Sequence, residues 1–111
     1  VDSYEIYCDL RPGVHDLEFA DAVAAYLDFL VRDGLLASWR LTRRKLGFGI
    51  DGLGEFHLAL EVRDLAQLDA AFSLVATRSG DVERLHSAVF SRVANARFAL
   101  YRDFPDAVRE R

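Results

Sequence analysis

The chain has 111 residues, 51% of them apolar and 29% charged, with a net charge of −4 and a pI near 5.3. That balance supports one compact core and excludes intrinsic disorder. Its acidity is opposite in sign to that of a general nucleic-acid or anionic-membrane binder, so neither is expected as a partner.

The lone cysteine, Cys8, has no internal disulfide partner, which fits a reducing compartment and a cytoplasmic location. The longest apolar stretch, residues 22–31, is interrupted by Asp28 and is too short to span a bilayer. The start Val1-Asp2-Ser3-Tyr4-Glu5 carries no signal-peptide pattern, although without an initiating Met a removed leader stays open. The length predicts a single domain over 1–111, with its core over about 3–104 and a charged, loosely held tail over 105–111. The apolar share is slightly rich for a lone domain of this size, which points to self-association.

In chain order, Tyr4, Ile6, Cys8 and Leu10 alternate with Glu5, Tyr7 and Asp9, the pattern of a half-buried strand. Asp16 is read as the N-cap of a helix carrying Phe19, Val23, Tyr26, Leu27 and Leu30 on one face and stopped by Asp33-Gly34. A second strand is expected over 36–48, with Trp39 and Leu41 opposite Arg40, Thr42 and Arg44. Four glycines, Gly47, Gly49, Gly52 and Gly54, then form a flexible loop.

The clearest alternation follows over 55–63, setting Phe56, Leu58, Leu60 and Val62 against Glu55, His57, Ala59 and Glu61. Asp64 and Gln67 form a capping box for a helix with Leu65, Leu68, Phe72 and Val75 on its apolar face. Ser79-Gly80-Asp81 recaps a further helical segment lined by Leu85, Val89 and Val93. A last strand is expected over 97–102, with Phe98 and Leu100 inward, ended by Phe104-Pro105.

Strand, helix, strand, strand, helix pair and strand make an α+β ferredoxin-like βαββαβ sandwich. Its four-stranded antiparallel sheet would carry helices on one face, with the first and third strands central.

The uncovered face would hold Tyr7, Arg40, Thr42, Arg44, His57, Ala59, Glu61, Arg97 and Tyr101. A solvated polar face is the plain reading. The sharper one pairs two such faces in a homodimer around an amphipathic cavity for a small organic ligand. The runs Leu41-Thr42-Arg43-Arg44-Lys45-Leu46-Gly47-Phe48-Gly49, Gly54-Glu55-Phe56-His57 and Leu100-Tyr101-Arg102-Asp103-Phe104-Pro105 resemble a family of small bacterial proteins of unknown function. That family belongs with the dimeric α/β-barrel ferredoxin-like proteins. The resemblance implies a dimer and a cavity; it names no reaction.

Gly47-Phe48-Gly49-Ile50-Asp51-Gly52 has the letters of a dinucleotide fingerprint, but a strand follows where the motif needs a helix N-terminus. The cluster Arg40, Arg43, Arg44 and Lys45 reads first as strand-edge charge and second as an anion site. His15, His57 and His86 lie at no metal-binding spacing, so no metal or cofactor is expected. Cys8 reads as an inert buried thiol.

His57, mid-strand on the polar face, is the candidate acid or base, with Tyr7, Arg40, Thr42, Glu61 and Tyr101 as ligand-binding partners. A hydrogen-bonded interface role for His57 stands beside that reading. The function expected is small-molecule binding in a homodimer, a setting open to cofactor-independent chemistry on an anionic or oxygen-bearing compound. The alternatives are a non-enzymatic dimerisation or regulatory module, or a haem-handling barrel protein using His57 or His86.

Overall fold

A computed structural model describes residues 1–106. The elements run β1 (Asp2–Leu10), α1 (Asp16–Arg32), β2 (Ser38–Arg43), β3 (Phe56–Val62), α2 (Leu65–Ala76), α3 (Gly80–Phe90) and β4 (Val93–Arg102). The sheet order is β2-β3-β1-β4, antiparallel throughout, with β1 and β3 central. This is the ferredoxin-like arrangement. Among the described residues no helix is long and apolar enough to cross a membrane.

The core lies between the sheet and the helices. Ile6, Cys8, Phe56, Leu58, Leu60 and Val62 meet Phe19, Val23, Tyr26, Leu27 and Leu30 of α1 and Val82 and Val89 of α3. Burial of the Cys8 thiol pushes its pKa up to about 11, with the neighbouring Asp9 adding to the shift. It is the inert thiol expected.

Several boundaries differ from expectation for identifiable reasons. His15, not Asp16, caps α1: its Nδ1 accepts the Leu17 N–H at 3.2 Å, while the Asp16 carboxylate is drawn 3.0 Å from Arg43. β2 stops at Arg43, five residues short of the expected end. There Leu46 and Gly47 both take positive φ (56° and 75°) and Phe48 N–H returns to Lys45 O, a two-residue hairpin turn.

The apolar stripe of α2 is rotated. Half of the capping box forms, with Asp64 accepting from Gln67 N–H, but the Gln67 side chain turns inward, accepting from Arg63 N–H and donating to Gly34 O. Gln67, Leu68 and Ala71 are therefore buried, whereas Leu65 and Phe72 are exposed. Val93 begins β4 instead of continuing α3, so β4 starts four residues early. A register shift opposite Tyr7 and Asp9 coincides with Asn95 at φ 57°, a residue type that tolerates the left-handed region. Phe98 and Leu100 do pair with Ile6 and Tyr4 on the helix side, yet both stay half-exposed at the sheet edge. The tail expected over 105–111 lies, beyond residue 106, outside the described residues.

Candidate functional site

Two surfaces compete for the site, one on each side of the sheet. On the open side, the register lines up three rows across the four strands: Thr42, His57, Tyr7, Arg97; then Arg40, Ala59, Glu5, Ala99; then Ser38, Glu61, Ser3, Tyr101. All six residues singled out from the sequence lie here, as strand alternation requires. They do not form one cluster.

At one end, the Tyr7 ring stacks on His57 at 4.4 Å, and Thr42 Oγ1 is 3.5 Å from His57 Nδ1. His57 Nε2 is buried and lies 3.3 Å from Glu5 Oε1, close enough for an ion pair but not aligned as a hydrogen bond. Arg44, Phe48, Ile50 and Leu53 arch over this end around a hollow of about 220 Å³. Glu61 and Tyr101 line a separate hollow of about 220 Å³ at the other end. Arg40 is exposed on the middle row without an ion pair among the described residues.

Much of the basic cluster is committed to the fold. Arg43 pairs with Glu55 and Asp16 and covers the Phe56 ring at 5.1 Å. Arg44 donates to Leu53 O at 2.7 Å and occupies the space a side chain at Gly49 would need. The glycine loop is therefore braced by Arg44 and by turns at Lys45–Phe48 and Ile50–Leu53. It still projects Leu46, Phe48 and Ile50 almost fully into solvent.

On the helix side the packing is incomplete. A cavity of about 290 Å³ sits between the sheet and all three helices, lined largely by Val23, Leu27, Leu58, Leu60, Ala71 and Val89. Its size is near the lower end of small-molecule sites. Tyr4 on β1, Tyr26 on α1 and His86 on α3 also line it. The His86 ring meets Tyr26 edge-on at 5.6 Å and tilts against Phe90 at 4.6 Å. Tyr4 contacts Phe72 edge-on and stacks on Phe98, making an aromatic rim.

Burial tunes all three groups. It pushes the Tyr26 hydroxyl up to about 12, with Tyr4 adding to the shift, and raises Tyr4 as well. It lowers His86 below the ordinary imidazole value; Glu83 opposes that shift and Arg78 assists it. The lining therefore includes two phenols that hold their protons and an imidazole biased toward its neutral form.

Strand alternation does not point to this trio: Tyr4 and Tyr26 belong to apolar stripes, and His86 stood out in the sequence only as an alternative haem ligand. The signal was present: His86 lies four residues after Val82 and three before Val89, and Tyr26 lies beside Leu27 and Leu30. Among the described residues no group of three or more His, Cys, Asp or Glu is placed to hold a metal ion.

A family model described as a family of unknown function, DUF6614, matches residues 1–111. The chain belongs to DUF6614. No match was found among curated proteins. Among solved structures, SnoaB of Streptomyces nogalater, described as a cofactor-independent oxygenase, aligns with TM-score 0.71 at 11% identity, over 96% of this chain and 95% of its own. An Arabidopsis thaliana protein aligns with TM-score 0.68 at 9% identity, over 96% and 99%. A dimeric ferredoxin-like protein of unknown function from Jannaschia sp. CCS1 aligns with TM-score 0.68 at 11% identity, over 92% and 98%. At these identities the likeness of this DUF6614 chain is one of fold.

Proposed function

We propose that this chain is a homodimeric small-molecule-binding domain whose helix-side cavity takes an apolar, oxygen-bearing organic compound. One observation carries the reading. An otherwise apolar cavity of ligand size is lined by the rings of His86, Tyr26 and Tyr4, none with a side-chain hydrogen bond to protein among the described residues. An apolar hollow edged by rings that carry accessible hydrogen-bonding groups suits an apolar ligand bearing an oxygen.

The same arrangement suits proton transfer. An O–H proton, or a C–H proton acidified by a carbonyl, passes to His86, and the negative charge left on the ligand oxygen is held by the Tyr26 or Tyr4 hydroxyl. The structural likeness to a cofactor-independent oxygenase is compatible with such chemistry.

The open face serves as the dimer interface in this reading. Its middle row is flattened by Ala59 and Ala99, and the exposed Leu46, Phe48 and Ile50 extend beyond the sheet. A stable pairing of the two faces would bury on the order of 1,200 Å² or more. Tyr7, Arg40, Thr42, His57, Glu61 and Tyr101 would then be interface residues around whatever space the two faces enclose.

Titration with 2-naphthol, followed by its fluorescence, tests the cavity. Saturable binding is expected, weakened about tenfold or more (~1.4 kcal/mol) by Ala71→Phe. No saturation, or no effect of Ala71→Phe, would reject the cavity as the site. Light scattering tests the dimer: a monomer mass at micromolar concentration overturns it, and Ala59→Glu should produce that mass.

A further inference from the structure

Beside the cavity, a second hollow of about 440 Å³ opens between α2 and α3, and Phe72, Val75, His86 and Phe90 line both. The walls differ in character. Where the inner cavity is apolar, the outer hollow is lined by Arg78, Glu83, Ser87 and Ser91 as well. His86 stands at the boundary and lines both hollows.

Two features of Arg78 bear on this hollow. It occupies the corner between the helices at φ 50°, a left-handed conformation that glycine or asparagine normally takes at a helix end. Its guanidinium also has no ion pair or hydrogen bond among the described residues, although it is close enough to bias His86 toward the neutral form. Glu83, the carboxylate lining this hollow, lies in the first turn of α3, where its charge complements the helix dipole. The Arg78 side chain is exposed at the mouth of the hollow, where its guanidinium is accessible to a ligand.

We propose that this outer hollow is the vestibule of the cavity, and that Arg78 receives the carboxylate of a ligand whose apolar body lies inside. The proposal rests on the cavity being the ligand site. A guanidinium can fork onto both carboxylate oxygens, which an alcohol or aldehyde end cannot match. The ligand class is then an apolar-bodied monocarboxylate. Its body passes between Phe72 and Phe90, and its charged end stays at the mouth.

The test compares 4-phenylbutanoate with 4-phenylbutanol by calorimetry on the full chain at neutral pH and low salt. The native protein should bind the acid about five- to tenfold more tightly, and added salt should shrink the difference. Arg78→Gln should abolish that preference without changing affinity for the alcohol. Arg78→Gly should abolish it too while melting no lower than the native chain, because it removes the left-handed strain. Equal affinities in the native protein, or a variant that weakens both probes alike, would overturn the proposal. If neither phenylbutyl probe binds while 2-naphthol does, the carboxylate reading alone fails. If none of the three binds, the cavity reading fails with it.

Discussion

Ala71→Leu tests the cavity by the sign of a stability change. Ala71 is buried on α2 and lines the hollow between helices and sheet. Leucine adds three carbons, and its helix propensity is close to that of alanine. In a filled core such an insertion forces side chains off their rotamers and lowers stability by about 1–3 kcal/mol.

Here the added carbons have somewhere to go. The hollow of about 290 Å³ exceeds by several-fold the volume three carbons need. At ~0.8 kcal/mol per buried carbon the ceiling is about 2.4 kcal/mol, and rotamer loss brings the expected gain to about 1–2 kcal/mol. For a chain this long that raises the melting temperature by about 4–8 °C. Circular dichroism melts at one fixed protein concentration, with a urea titration beside them, read the change. A melting temperature several degrees below native, with 2-naphthol affinity unchanged, would show that the space is filled and refute the reasoning.

Core truncations should differ according to whether they touch the hollow. Phe19→Ala, fully buried against Phe56, should lose about 3–5 kcal/mol in urea unfolding, whereas Leu60→Ala, already facing empty space, should lose nearer 2. Gly54→Ala should lose about 2 kcal/mol or more, because its methyl would overlap the Cys8 carbonyl; a near-native urea midpoint would contradict that packing. His86 gives the native chain a pH dependence. Its folded pKa lies below the unfolded value of about 6.5, held there by burial, with Arg78 assisting and Glu83 opposing, in contact with Tyr26 and Phe90. The unfolded chain therefore binds the proton more readily, so stability falls as pH drops below about 6.5 and levels off below the folded pKa. Stability measured from pH 7.5 to 5 should show this loss in the native chain and a smaller one in His86→Phe.

What the sequence determined by itself was whatever follows from local periodicity. Alternation at Tyr4 to Leu10 and Phe56 to Val62 assigns each side chain a face, because successive side chains in a strand point to opposite sides. With α1 and its Asp33-Gly34 stop, that led to the four-stranded antiparallel order and to the open face bearing Tyr7, Thr42 and His57. The tertiary structure alone decided where packing competed with pattern. Leu65 and Phe72 fit a helical stripe, yet the Gln67 side chain, bonded across to Gly34, turned α2 and left both exposed. Leu46 and Phe48 look like strand residues, but two successive left-handed residues turn the chain there. The cavity could not be read locally at all, because a void depends on how three helices settle over a sheet. Tyr26 and His86, 60 residues apart in sequence, meet only because α1 and α3 lie on the same face of that sheet.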